Sequence, residues 1–393
     1  MRYDFSKPIN RANTHSLKWD GIKEKFGINP EGILPLWVAD MDFKSPIEVA
    51  DMLKHKASHG IYGYSGDFED YEDSVIRWMK NRHGWDIDRG WIAYTPGIVT
   101  GLNLLVSALT KPGDKIIVQP PVYTPFYEAI NNHGCEVVEN PLIKNGDRYE
   151  MDFENLESQM SENVKLLILC SPHNPVGRVW TREELTRLGE ICEKHGVIVI
   201  SDEIHGDLIY KKSKHTPFAM LGESFAQNTV ICTAPSKTFN VAGLNTANLI
   251  IPNEKLRKAY LDKRASFGIS RPNVFGFEAL EAAYTFGEEW LEQLLVYLEG
   301  NADFVKSYID ENLPQIKVSK PDGTYLMWLD FRGMPVKGKE LEDFLIREAK
   351  VLMNQGDCYG TGGDGFVRLN IGCARVVLED ALERIKVAVE KLN

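Results

Sequence analysis

A chain of 393 residues with 43% hydrophobic and 26% charged side chains can bury a large core and fits a globular protein of two domains, or of one large domain with an appendage. Its 45 basic and 56 acidic side chains leave a formal charge of -11, which repels phosphate backbones and anionic membrane surfaces and argues against nucleic acid or membrane as the main partner. The six cysteines (Cys135, Cys170, Cys192, Cys232, Cys358 and Cys373) are scattered without a C-x-x-C or a histidine at ligand spacing, so no metal site is expected and the thiols read as reduced.

The first 45 residues are rich in Pro, Asn and Asp, lack periodicity and read as an arm or crossing segment. The start, MRYDFSKPIN, shows no apolar targeting core and no apolar run is long enough to span a bilayer, so a cytoplasmic location is the expectation. Gly97 opens a helix over 98–109. Apolar runs at 115–119, 164–170, 197–201, 229–233 and 247–251 predict strands buried on both faces, as in a mostly parallel sheet covered by helices. Between them, 183–195 carries Leu185, Leu188, Ile191 and Cys192 on one face behind a Thr181 cap, which predicts a crossover helix. After about residue 285 the pattern changes: a helical stretch runs to Leu313, followed by strand-like 324–330, a helix at 339–350, a strand at 366–371 and a last helix. The expected fold class is therefore α/β, with an arm (1–45) contributing to the small domain, a large domain (46–285) built on a mostly parallel sheet, and a smaller α+β domain (286–393).

Three features stand just past successive predicted strands, where open α/β sheets bind ligands. Ser171-Pro172-His173-Asn174-Pro175-Val176-Gly177 presents the Asn174 amide from a turn stiffened by two prolines, although alone it reads as an ordinary Pro-Gly loop. Asp202 of Asp202-Glu203-Ile204-His205 is a carboxylate at the end of a buried strand, which calls for a positive partner; it serves equally well as the cap of a following helix. Lys237 of Ala234-Pro235-Ser236-Lys237-Thr238-Phe239 lies between apolar segments, where desolvation would free its amine as a nucleophile; the default for any single lysine is the surface.

Taken together, N-P-x-G, D-E-x-H and S-K-T-F after three strands resemble fold-type I pyridoxal-phosphate enzymes of the class I/II aminotransferase family, over essentially the whole chain. Within it the chain looks most like the PatB/MalY-like cystathionine β-lyases. The residues that carry this are Trp37-Val38-Ala39-Asp40-Met41-Asp42-Phe43, Tyr62-Gly63-Tyr64-Ser65, Pro120-Pro121-Val122-Tyr123, Pro235-Ser236-Lys237-Thr238-Phe239-Asn240 and Val367-Arg368-Leu369-Asn370.

The resemblance implies pyridoxal 5'-phosphate as cofactor, attached to Lys237 as a Schiff base, with Asp202 on the pyridine nitrogen, Asn174 on the phenolic oxygen and Tyr123 stacked on the ring. Arg368 would hold the substrate α-carboxylate, and Ala39 would line the substrate site. Gly97, Ile98 and Val99 would hold the phosphate at a helix start, with Thr233 and Ser236 as added hydroxyl donors. His205 stands where many aminotransferases carry a tyrosine; it is a site-lining residue or a structural histidine. Tyr64, or else Tyr62, would reach the neighbouring subunit's cofactor, which implies a homodimer with shared sites.

Gly360-Thr361-Gly362-Gly363-Asp364-Gly365 spells the dinucleotide fingerprint, but a strand follows where that fingerprint needs a helix, so it reads as a loop leading to Arg368. The ring-holding residues serve carbon–sulfur β-elimination and transamination alike. Only the resemblance favours a β-lyase acting on L-cystathionine or a related cysteine S-conjugate, with an amino-acid aminotransferase as the alternative. Some members of the group also regulate a transcriptional activator by protein contact, and this is kept as a minor additional role.

Overall fold

The computed structural model describes residues 3–66 and 69–392. Its centre is a seven-stranded sheet. The strands are β1 (Ile92–Thr95), β2 (Lys115–Val118), β3 (Glu136–Glu139), β4 (Val164–Cys170), β5 (Ile198–Asp202), β6 (Thr229–Thr233) and β7 (Ala247–Ile250). They lie in the order β1-β7-β6-β5-β4-β2-β3. All neighbours run parallel except β7, which is antiparallel to both β6 and β1. Alternation along β4 explains the continuous apolar run: Leu166, Ile168 and Cys170 pack on one side with Leu102 and Leu105, while Leu167 and Leu169 pack on the other with Leu185 and Leu188.

Those two sides are covered by α1 (Ile98–Leu109) and α2 (Arg182–Lys194). The second begins with the cap expected at Thr181: its hydroxyl accepts from Glu184 N at 3.2 Å and the Glu184 carboxylate accepts from Thr181 N at 2.7 Å. Because β4, β5 and β6 are neighbours, Asp202 at the end of β5 pairs with Cys170 on one side and Cys232 on the other. The short helix α3 (Pro235–Thr238), which carries Lys237, starts two residues after β6.

The later part of the chain holds the long helix Glu288–Asn312 and an antiparallel four-stranded sheet, β8 (Lys317–Val318), β9 (Leu326–Asp330), β10 (Asn354–Gln355) and β11 (Phe366–Asn370), in the order β8-β9-β11-β10. The arm has more structure than its sequence suggests. It forms two short helices, Leu17–Asp20 and Ile22–Phe26, and its Leu34–Pro35 pairs in parallel with Val351–Leu352. Ile22, Ile33 and Trp37 pack there against Ile346 and Leu352. Among the described residues no helix is long and apolar enough to cross a membrane.

Candidate active site

The arm enters the centre of the molecule at residues 37–43 and is held there by buried and half-buried polar groups. Asn240, three residues after Lys237, accepts from Met41 N at 3.0 Å and donates to the carbonyls of Met41 and Phe43 at 2.8 Å each. Asn370, two residues after Arg368, donates to the carbonyls of Val38 and Asp40 at 2.6 Å each. Lys18, fully buried, pairs with Asp42 at 2.8 Å, and Arg11 holds both Asp40 oxygens at 2.9 Å. A backbone secured this way can serve as a fixed acceptor.

The Ala39 carbonyl is that acceptor: it receives Lys237 Nζ at 2.7 Å and the Tyr325 hydroxyl at 2.9 Å. Lys237 is partly buried, and desolvation, helped by the charge of Arg368, draws its amine down to about 8 against the opposing pull of Asp40 and Asp202. Asp202 is buried and its carboxyl is pushed up to about 7, chiefly by desolvation, with Ile204 N–H and Lys237 working the other way. Among the described residues its side chain has one hydrogen bond, from Ile204 N at 3.2 Å.

Arg368 on β11 is 3% exposed and has no carboxylate partner among the described residues. One terminal nitrogen donates to Asn174 Oδ1 at 3.1 Å and the other to the Trp37 carbonyl at 2.8 Å, while its Nε has no acceptor among the described residues. Its guanidinium carbon lies 5.4 Å from the Tyr359 ring centre. Tyr123 is half-buried with its hydroxyl pushed up to about 12 by desolvation and the Asp202 charge. His205 is buried, packs edge-on against Tyr325 at 5.8 Å and has no partner for its Nδ1 among the described residues. Burial and the Lys237 and Arg368 charges hold its pKa well below the usual histidine range, so the ring is neutral.

Gly97 adopts φ 146, a conformation that suits only glycine, and starts the 12-residue α1, where Ile98 and Val99 present first-turn N–H groups with no carbonyl one turn back to receive them. A Cβ added at Gly97 would meet nothing within 4 Å, so the helix start opens onto free space.

The structure thus gathers Lys237, Asp202, Asn174, Tyr123, His205, Arg368 and Ala39 at one place. Ser236 is half-buried beside Lys237 on α3. Thr233 requires correction. Ile231, two residues before it, packs on the α2 side of the sheet, whereas Cys232 faces the α1 side, so Thr233 points away from Gly97. Its hydroxyl has no partner among the described residues and lines a small void with His83, Glu203, Asp207 and His215. Tyr64 stands outside the cluster, fully exposed on a loop, while the Tyr62 hydroxyl is taken up by Ala57 O at 2.6 Å. Tyr325, Tyr359 and the clamps Asn240 and Asn370 were not assigned roles from sequence. Both asparagines lie within three residues of a predicted site residue, which is the signal that could have found them. The glycine-rich loop at 360–365 follows a short 3-10 turn and leads into β11, as expected of a loop rather than a dinucleotide site.

Comparison with known proteins identifies the family and its similar chains. The profile of the aminotransferase class I and II family matches residues 31–385. Cystathionine beta-lyase PatB of Bacillus subtilis (strain 168) is 45% identical over 387 residues, covering 98% of this chain and 100% of that protein. Protein MalY of Escherichia coli (strain K12) is 34% identical over 380 residues, 96% of each chain. The crystal structure of cystalysin from Treponema denticola, which contains a pyridoxal 5'-phosphate cofactor, superposes with a TM-score of 0.97 at 39% identity and covers 100% of both chains.

Proposed function

The chain belongs to the aminotransferase class I and II family, and on that basis we propose that it is a pyridoxal-phosphate-dependent carbon–sulfur β-lyase that releases a thiol, pyruvate and ammonia from L-cystathionine or a related cysteine S-conjugate. The observation that carries this reading is a set of buried charges waiting for complements. Among the described residues Asp202 has no cationic partner in hydrogen-bond contact and Arg368 has no anionic one, and Lys237 has an amine made easier to deprotonate.

Pyridoxal 5'-phosphate fits these residues. Its protonated ring nitrogen would complement Asp202, whose burial is otherwise costly, and its phosphate would complement the open start of α1 at Gly97, Ile98 and Val99. Asn174 would donate to the ring oxygen and Tyr123 would cover a ring face. When bound, the cofactor supplies a covalent handle for the substrate amine and an electron sink at its α-carbon.

The protein's own groups then do the rest. Arg368 offers a planar fork of donors to the substrate carboxylate, which turns the α-carbon in a fixed direction. Lys237 would take the α-proton, a role that typically contributes about 10²–10⁴-fold. Elimination breaks Cα–H and Cβ–S: the proton passes to Lys237, the sulfur departs with the bonding pair, and hydrolysis of the three-carbon remainder gives pyruvate and ammonia. Neutral His205 and the Tyr325 hydroxyl, both beside Lys237, add no further charge to the pocket. The similarity to PatB supports elimination over transamination, since the residues named here serve both.

We infer a homodimer, with Tyr64 completing the partner's site. Ile61 (69% exposed), Tyr62 (54%) and Tyr64 (103%) form an exposed apolar loop, and of the two tyrosines Tyr62 is engaged by Ala57 O and the Phe275 ring. L-Cystathionine supplied alone should give pyruvate over many turnovers.

A further inference from the structure

Behind the site, on the α2 side of the sheet, lies a second cluster of buried polar groups that the reaction does not use. Asp207 is 6% exposed. Its Oδ2 accepts from the Thr238 hydroxyl at 2.8 Å, and its Oδ1 accepts from Trp78 Nε1 at 3.0 Å and meets His83 Nε2 at 2.9 Å. Burial opposes ionisation of Asp207, but the His83 bond and charge, with Thr238 and Arg82, outweigh it and keep the carboxyl below the usual range. Glu203, 5% exposed, accepts from the Ser201 hydroxyl at 2.8 Å and Phe218 N at 2.9 Å on one oxygen and meets His215 Nε2 at 2.9 Å on the other. The two halves touch through His83 and His215, whose rings meet edge-on at 5.5 Å. The void between them, about 10 Å³ and lined also by Thr233 and Tyr284, has room for about one water.

The ends of this chain are its telling feature. Thr238 follows Lys237 on α3, and Ser201 and Glu203 flank Asp202 on either side. We propose that Asp207 and Glu203 are positioning residues, fixing through Thr238 and Ser201 the backbone that carries Lys237 and Asp202, with His83 and His215 joining the two. This rests on the β-lyase reading for what the two residues do, not for where they stand.

Stability alone does not account for such a cluster. Buried charged groups recover their desolvation cost only with good geometry, and apolar side chains of similar volume often stabilise as well or better. Trp78, Phe239 and Tyr284 already pack closely at this place. What directional bonds add is a fixed rotation of α3 and of the β5 end. Proton transfer is sensitive to that, since displacement of a reacting group by an ångström can cost on the order of 10²-fold. The groups facing Asp207 are Trp78, Arg82 and His83 from the segment 69–83, Thr238 from α3, Tyr284 from the helix Val274–Phe286, and His215 across the void.

The test uses holoenzyme of wild type, Thr238→Val and Thr238→Ser. Removing the hydroxyl in Thr238→Val should lower kcat for L-cystathionine about 10- to 100-fold while KM changes less than about threefold. The pH midpoint of the absorbance of the cofactor bound at Lys237 should also move by at least about half a unit. Thr238→Ser should restore both. Wild-type kcat and an unmoved midpoint in Thr238→Val would overturn the proposal. If that variant does not fold, Glu203→Gln should show the same paired change at the Asp202 end, and its absence would overturn the proposal equally. A wild type that makes no pyruvate from cystathionine would sink the lyase reading, yet the absorbance comparison would still decide the positioning role.

Discussion

The amine of Lys237 rests 2.7 Å from the carbonyl oxygen of Ala39, 198 positions earlier in the chain. A lysine from the short helix after β6 and a backbone oxygen from the arm therefore meet only in the folded state, and Tyr325 shares the same oxygen. Asn240 and Asn370 hold the arm on either side of this contact, so the segment is part of the site's framework rather than a loose cover.

The cofactor should be attached at this amine. Borohydride treatment of the holoenzyme should fix the cofactor to Lys237, and Lys237→Ala should lose turnover while keeping its fold. Recovery of the label on another lysine would contradict the assignment.

Asp202 gives a pH-dependent prediction for the protein stripped of cofactor. Its carboxyl is raised from 3.8 to about 7 in the folded state, so between those values the native state binds more protons than the unfolded one. Stability contributed by protonated Asp202 is present at low pH and is lost as pH rises through that window, a change on the order of 4 kcal/mol. Asp202→Asn should therefore be more stable than the wild type at about pH 8 and similar at about pH 4, by denaturant midpoint, while losing nearly all turnover once loaded. Equal midpoints at both pH values would show that Asp202 is not a desolvated, unpaired carboxyl.

At Arg368, truncation to Ala should leave the substrate carboxylate unpaired in a buried site and cost on the order of 2–5 kcal/mol in kcat/KM. Arg368→Lys should rescue little, because an ammonium cannot reproduce the fork that also reaches Asn174 and the Trp37 carbonyl. A loss below about tenfold for Arg368→Ala would place the carboxylate clamp elsewhere.

Tyr64 can be tested by subunit mixing. Tyr64→Ala and Lys237→Ala should each be nearly inactive, but re-assembled at equal amounts they should recover about a quarter of wild-type activity, because half of the symmetric dimers become mixed and each of those has one intact site. No recovery from subunits shown to exchange would contradict sharing across the interface.

Much of this site was legible because its residues follow buried strands. The apolar runs at 164–170, 197–201 and 229–233 are strands to within a residue at each end, the middle one reaching one residue further to Asp202, and parallel pairing brings their ends together without further information. Apolar character does not encode strand direction, so the antiparallel β7 was invisible in its run of residues. Thr233 was misplaced for a related reason: proximity in sequence to Lys237 does not say which face of β6 a side chain takes, and strand alternation decides it. The arm's short helices and its strand carry little periodicity because their order comes from partners hundreds of residues away, Ile346 and Leu352 among them.

The central claim, elimination at a cysteine-type Cβ, is tested by stoichiometry. With L-cystathionine as the sole substrate, the holoenzyme should release pyruvate, ammonia and homocysteine in equal amounts far in excess of enzyme, because elimination needs no second substrate. An aminotransferase would stop after one half-reaction with the cofactor held in its amine form, and would resume only on addition of a keto acid such as 2-oxoglutarate. Sustained pyruvate release without a keto acid is the result predicted; a stall after a single turnover, relieved by a keto acid, would contradict it.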